Sequence, residues 1–412
     1  MSTERTSMST YDCLVLSGGG AKGAFGAGAA KALFAYRKQQ SIESKLCFVG
    51  TSAGALNAVV LAAFGPNQLF NFWQEATSSK ILGWWPRNPT FRLASSAISP
   101  IKWLNFVKRR FGKPAAYSLY RNAHLRSFVK AKLKDVEFDK FSNSVDLIMP
   151  ATNYSQGRME SLFVSKLVED FVKKDNEKNP EKRRLQEFRQ IMDMTELIDS
   201  VLASAAIPLA FPPVQIGKQA DFYVDGGIGR NTPTQEAALF LRNVRQYSNH
   251  ESGDTFCVLL DEPGTVMAPN QSLGMGSIAL RTYELSHYTH MIPIIKSWHQ
   301  INRNVDENAD RVKEFREYLQ AHKSLKDEVT DELENEFLGK FEELWGSTPR
   351  LNLQLHEIHP NGDLGNLLDF SVNQTKSRFS RGFTACVTTL RNSNKISDVE
   401  AHSLLSNVWE TV

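Results

Sequence analysis

Ser52 stands at the centre of Gly50-Thr51-Ser52-Ala53-Gly54, where the apolar run Leu46-Cys47-Phe48-Val49 gives way to an alanine-rich stretch. In a strand-turn-helix of this kind a serine hydroxyl is thrust outward as a nucleophile. Gly50 and Gly54 let the backbone take the cramped turn, and the helix that follows offers its N-terminal amides to negative charge developing on a substrate. A second cluster, Gly18-Gly19-Gly20-Ala21-Lys22-Gly23, lies upstream, and Asp225-Gly226-Gly227 lies downstream. The upstream glycines also satisfy the dinucleotide fingerprint Gly-x-Gly-x-x-Gly through Gly18, Gly20 and Gly23. A nucleotide-binding module would want an acid at the end of the second strand to hold a ribose, yet this strand ends in Gly50-Thr51-Ser52 and Glu43 precedes it. The alternative use of the loop is an oxyanion hole, with consecutive backbone N–H groups turned into a site.

A nucleophilic serine needs a base. Of nine histidines only His124 precedes residue 250, and none occupies a recognisable catalytic motif; His287, His290 and His299 fall on a charged helical stretch. Asp225 ends the apolar strand Phe222-Tyr223-Val224, and the two glycines after it permit close approach, so its carboxylate can hydrogen-bond Ser52 directly. Such chemistry requires neither a metal nor a cofactor.

These residues need a frame. Asp12 to Leu16 reads as a strand, Ala24 to Arg37 as a helix, Leu46 to Val49 as a strand and Ala53 to Phe64 as a helix. That opening predicts an α/β fold with a parallel sheet covered by helices, and it puts both glycine loops at the C-terminal edge of adjacent strands. Ser144 to Ala151 predicts a buried strand, with a hairpin through Tyr154 to Val164 around Gly157. Lys166 to Arg189 reads as a solvated insertion, helical or mobile, Met194 to Ala206 as an apolar helix stopped by Pro208, and Phe256 to Leu260 as a strong strand. Gly276 to Trp345 is helical and charged, and Leu351 to Ile358 suits an edge strand.

Composition excludes several classes. With 42% hydrophobic and 23% charged residues in 412, the chain is neither disordered nor fibrous. Met1 to Thr10 is polar and does not read as a secretory signal. The longest apolar stretch, Ala55 to Phe64 broken by Asn57, is short of the ~20 residues of a membrane span, so a cytoplasmic protein is expected. Cys13, Cys47, Cys257 and Cys386 are scattered, and three lie in strand-like runs, which suits core thiols better than disulfides or metal ligands.

Gly-Gly-Gly-x-Lys-Gly, then Gly-x-Ser-x-Gly, then Ala203-Ser204-Ala205-Ala206-Ile207-Pro208 with Phe211-Pro212-Pro213, then Asp225-Gly226-Gly227 with Asn231 and Pro233, together resemble the patatin-like phospholipase family. The resemblance covers residues 14 to 233. It implies a three-layer patatin-like fold and cleavage of fatty-acyl esters of phospholipids by a Ser52–Asp225 dyad, with Ser52 as nucleophile and Asp225 as general base. It also implies oxyanion donation by the amides of Gly18, Gly19 and Gly20, with Lys22, Gly23, Gly50, Gly54, Gly226 and Gly227 in support. Leu364 to Phe370 is similar to the segment that closes the sheet in some bacterial members. Some members require an activator, so an activating cofactor or ligand stays open as a partner. An acyltransferase would use the same residues, whereas an α/β-hydrolase with a Ser-His-Asp triad would carry several strands before its nucleophile rather than one. A catalytic domain over 11–262 is therefore expected, with a helical region over 263–412 completing it.

One stretch lies outside the family pattern. Between Ala76 and Lys134 there is no Asp or Glu but 13 of the 48 Lys and Arg, leaving 35 basic against 45 acidic residues elsewhere. Trp84, Trp85, Trp103, Lys108, Arg109 and Arg110 interleave aromatic and cationic groups, as an interface with anionic lipid requires. Residues 80–134 are thus expected to form a membrane-facing lid or cap, and 166–193 a charged insertion. No nucleic-acid recognition fold accompanies this charge, so the expected partner is a phospholipid surface bound peripherally.

Overall fold

In the computed structural model, which describes residues 9–82, 118, 120–178, 187–208, 210–218, 221–248, 250–262, 282–285, 291–303, 306, 313–314, 317 and 353–406, the first apolar run becomes β1 (Thr10–Leu16) at the heart of a nine-stranded sheet. β1 lies between two parallel partners, β2 (Lys45–Gly50) and β8 (Glu251–Val258). Being buried on both faces, it reads as a continuous apolar run rather than an alternation. Beyond β2 come β3 (Asp146–Asn153), parallel, and β4 (Arg158–Val164), which returns antiparallel through a turn where Gly157 takes φ 64°. β9 (Gln354–Ile358) edges the sheet beside β8, with the Leu259 amide donating to the Ile358 carbonyl at 2.8 Å.

Two layers of helix sandwich the sheet. Leu14 and Leu16 point into the cluster that includes the alanines of α1 (Gly23–Gln39). Cys13 points the other way, its thiol 4.0 Å from the Ala237 carbonyl of α7 (Thr234–Tyr247). On the first side α1 is crossed by α8 (Val372–Asn392). A Cβ on Gly28 would lie 1.9 Å from the Phe379 carbonyl oxygen, and one on Gly382 equally close to that of Phe25, so the two backbones touch. α2 (Ala53–Phe64) and α3 (Pro66–Glu75) follow β2, α4 (Asn122–Lys132) precedes β3, and α6 (Met194–Ser204) packs on β3. All four cysteines are buried free thiols. Among the described residues no helix is long and apolar enough to cross a membrane.

The sheet explains how distant residues meet. β4 occupies one edge of β3 over Leu147–Asn153, so the other edge is shared. Its first half takes β2, with Val49 opposite Ile148; its second half takes β7 (Phe222–Asp225), antiparallel, with Asp225 opposite Ala151. β2 and β7 therefore run toward each other along one rail. β7 also carries the short β6 (Val214–Gln215).

Several expectations change. The insertion after β4 is not merely solvated: α5 (Lys166–Lys178) is followed by β5 (Phe188–Gln190), which extends the sheet parallel to β4. Residues 364–370 form turns rather than a strand, and the sheet ends at β9 instead. Residues 1–291 and 355–412 group as one compact unit and 292–354 as another. In the second unit the described part is helical over 292–303, and the Asn302 side chain exchanges hydrogen bonds with Leu353, 2.6 Å to its carbonyl and 3.0 Å from its amide. Trp84, Trp85, Trp103, Lys108, Arg109 and Arg110 lie outside the described residues.

Candidate active site

Ser52 caps the N-terminus of α2 with φ 56° and ψ −119°, a left-handed conformation for a residue that bears a Cβ. Such strain costs on the order of 1–3 kcal/mol and persists only where the surroundings enforce it. Here they do. A Cβ on Gly50 would sit 2.2 Å from the Gly54 carbonyl oxygen, and one on Gly54 only 2.0 Å from that of Leu16, so the turn closes only with glycine at both places. The Thr51 amide donates to the Leu16 carbonyl at 3.1 Å, and its hydroxyl to the Arg230 carbonyl at 2.7 Å. The Ser52 amide donates to the Ser204 hydroxyl at 3.0 Å, which in turn donates to the Pro150 carbonyl at 2.7 Å.

Ser204 and its neighbours also hold the aspartate. The Gly226 amide donates to the Ser204 carbonyl at 3.3 Å and the Asp225 amide to the Ala206 carbonyl at 3.0 Å. One segment at the end of α6 thereby fixes both the nucleophile's turn and the end of β7. Asp225 is fully buried, and its Oδ1 accepts the Gly227 amide at 2.6 Å. Oδ2 receives no well-aligned hydrogen bond, although the Tyr283 and Ser52 hydroxyls lie close enough to act on the carboxyl. Burial pushes the Asp225 carboxyl up to about 6, against the opposing pull of the Tyr283 hydroxyl, the Gly227 amide and the Ser52 hydroxyl. Tyr283 is the member of this group that sequence reasoning missed. Burial and the neighbouring Asp225 raise its phenol, so it stays protonated beside the carboxyl.

The glycine loop refines the expectation for the oxyanion donors. Gly18 is excluded: its amide already donates to the Asn231 carbonyl at 3.1 Å, while the Asn231 side chain donates back to the Gly18 carbonyl at 3.3 Å. Among the described residues the amides of Gly19 and Gly20 have no protein acceptor. Gly20 has φ 56°, and a Cβ there would lie 2.4 Å from the Leu367 carbonyl oxygen, which accepts the Ala21 amide at 2.7 Å. Lys22 is buried, with its ammonium 2.9 Å from Asp261 Oδ1. Gly23 lets α1 approach its neighbours, since a Cβ would meet Trp73 at 2.5 Å and Ala53 at 2.9 Å, and Gly226 passes so close to β3 that a Cβ would be 2.2 Å from the Pro150 carbonyl oxygen.

Two recesses open on Ser52 and Gly20. One, of about 340 Å³ counted to its open mouth, is the more polar of the two and includes Lys22, Asp261, Tyr283 and Glu284. The other, of about 460 Å³, is walled by Leu56, Phe72, Trp73, Leu125, Phe211 and Phe370. Leu125 belongs to α4, so the tail of the basic stretch supplies part of this apolar wall; there Arg126 pairs with Asp199 and Lys132 with Glu75.

Among the described residues no histidine lines either recess, and His287 and His290 fall outside them. A Ser–His–Asp connectivity does occur elsewhere. His356 Nε2 is 2.9 Å from Asp254 and Nδ1 3.2 Å from the Ser393 hydroxyl. Ser393 there is the ordinary C-cap of α8, Lys395 also binds Asp254 at 2.7 Å, and His356 stacks on Phe256 at 5.1 Å. These contacts staple β9 to β8 and to the end of α8.

The sequence model of a family described as patatin-like phospholipase matches residues 14–238. No curated protein matches the chain. Among solved structures, the crystal structure of VipD from Legionella pneumophila aligns with 98% of this chain and 89% of that chain, at 12% identity and a TM-score of 0.29, a likeness too weak to carry an argument.

Proposed function

This chain belongs to the patatin-like phospholipase family, whose activity is lipid acyl hydrolysis, and from that premise we propose that Ser52 and Asp225 form the catalytic dyad of a phospholipase A-type serine hydrolase. The observation that carries the reading is a strained serine that opens on an apolar recess with a buried carboxylate beside it. Ser52 Oγ attacks the ester carbonyl while its proton passes to Asp225, a stronger base than an ordinary carboxylate yet still mostly ionised at neutral pH. The tetrahedral oxyanion turns to the Gly19 and Gly20 amides and to the start of α2, which carries no acidic residue in its first turn. Collapse of that intermediate returns the proton from Asp225 to the departing alkoxide and leaves an acyl-Ser52 ester. Water then adds to the acyl carbon as Asp225 takes one of its protons, and collapse breaks the bond to Ser52 Oγ, which takes that proton back from Asp225 as the fatty acid leaves.

The apolar recess takes the acyl chain, and Leu56, one turn beyond Ser52 on α2, tests this. Leu56→Trp fills the recess, so the preference for a dodecanoyl over a butyryl ester falls by ~10-fold or more, since each methylene in an apolar pocket is worth ~1–3 kcal/mol. An unchanged chain-length ratio would place the acyl chain elsewhere.

Lys108, Arg109 and Arg110 act, on this reading, at the membrane surface. Reversing Lys108, Arg109 and Arg110 to Glu weakens sedimentation with anionic liposomes and slows hydrolysis of vesicle lipid, while a soluble short-chain ester is cleaved as before. Wild-type liposome binding by the triple variant would make the stretch a solvated face, and equal loss on both substrates would make it a support of the active site.

A further inference from the structure

We propose that Arg378, on α8 and beyond the residues matched by the family, is a positioning residue that sets the oxyanion turn through the loop 364–369. This rests on the oxyanion reading of Gly19 and Gly20. Arg378 is among the largest fully buried side chains of the protein, yet among the described residues it forms no salt bridge. Its guanidinium instead donates to three backbone carbonyls: Nε to Leu364 at 2.8 Å, Nη1 to Asp369 at 2.7 Å and Nη2 to Asn366 at 2.9 Å. A buried cation without a bonded carboxylate is expensive, and only the planar fork of arginine reaches three divergent acceptors at once.

What the fork holds leads directly to the chemistry. The carbonyl it leaves to another donor, that of Leu367, accepts the Ala21 amide at 2.7 Å, immediately after Gly20. The Leu367 side chain lines the polar recess, and Leu368 and Phe370 line the apolar one. Local turns finish the loop: Asn366 Oδ1 accepts the Leu368 amide at 2.8 Å and Asp369 Oδ1 the Ser371 amide at 3.0 Å. The helix beneath cannot slide, because Gly382 and Gly28 bring α8 and α1 into backbone contact. Arg381, one turn on, grips only the carbonyls of Asn361, Gly362 and Asp363, which line neither recess.

The test compares Arg378→Lys, Arg381→Gln and Gly20→Ala in the full chain on a soluble short-chain ester. Lysine keeps the charge but not the fork, so kcat falls by ~10–10²-fold with KM within about twofold, the size of effect that ~1 Å misplacement of transition-state donors produces. Affinity for a trifluoromethyl ketone, which forms the oxyanion adduct, falls in parallel, while binding of the free fatty acid does not change. Gly20→Ala shows the same split and Arg381→Gln is near wild type. A merely structural Arg378 would lower the melting temperature and the folded fraction but leave the kcat of the folded fraction and the ketone affinity at wild-type values, which would overturn the proposal. Should Arg378→Lys not fold, Asn366→Ala, at an exposed position of the same loop, replaces it: a loss confined to kcat supports the coupling, and wild-type kcat overturns it. If the wild type itself cleaves no ester, the dyad reading fails instead, so the two failures are distinct.

Discussion

Ser52→Ala is expected to lower ester hydrolysis by ~10³-fold or more, because the attacking oxygen is lost. The fold should not notice. Alanine carries the same Cβ as serine at φ 56°, and the glycines on either side already define the turn. Ser52→Gly makes the complementary case: equally inactive, but more stable by ~1 kcal/mol, because glycine relieves the left-handed strain. Thermal melts of the three proteins, set beside fatty-acid release, separate catalysis from folding. Residual activity above a tenth of wild type in Ser52→Ala would end the assignment.

Asp225→Asn should cost ~10²–10⁴-fold in kcat/KM, since the amide keeps the shape and can still accept the Gly227 amide but cannot take a proton. In the wild type the carboxyl must be ionised to act, so kcat/KM should rise through a midpoint near pH 6 and level off above it. The same shift has a thermodynamic consequence of definite sign. A carboxyl raised from 3.8 in the unfolded chain to about 6 in the fold binds protons more tightly when folded, so its destabilising charge is absent below 3.8 and fully present above about 6. The stability of Asp225→Asn relative to wild type should therefore grow between pH 4 and pH 7, by about 3 kcal/mol as an order of magnitude. Parallel melts at the two pH values check this. A stability difference that is flat with pH would mean that Asp225 titrates normally and is no better a base than a surface carboxylate.

The nucleophile's turn was legible because everything that makes it is local: an apolar strand, two glycines that alone fit beside the Gly54 and Leu16 carbonyls, and an alanine-rich helix. β1, β2, β3, β4 and β7 were legible for a related reason, since buried strands announce themselves as short apolar runs. β5 was not, because Phe188-Arg189-Gln190 is polar and is made a strand by β4 alone. Tyr283 was hidden because its contact with Asp225 spans more than fifty residues and nothing local marks it. Gly18 could not be told from Gly19 and Gly20 until Asn231 was seen to take its amide. Leu364 to Phe370 resembles a segment that closes the sheet, yet here it forms turns. Asp363, Asn366 and Asp369 recur at every third place and turn the chain upon itself, and the donors that satisfy its carbonyls come from Arg378 on another helix. Ser204 was visible as part of a motif, but its work, holding the Ser52 amide and the Gly226 amide at once, needed coordinates.

The central claim, that Ser52 is a nucleophile activated by Asp225, is tested most directly by treating the full chain with a fluorophosphonate and mapping the adduct by mass spectrometry. The predicted result is a single phosphonylated residue, Ser52, formed ~10²-fold more slowly in Asp225→Asn and absent in Ser52→Ala. An adduct on another residue, or labelling of Ser52 at the same rate with and without the Asp225 carboxylate, would contradict it.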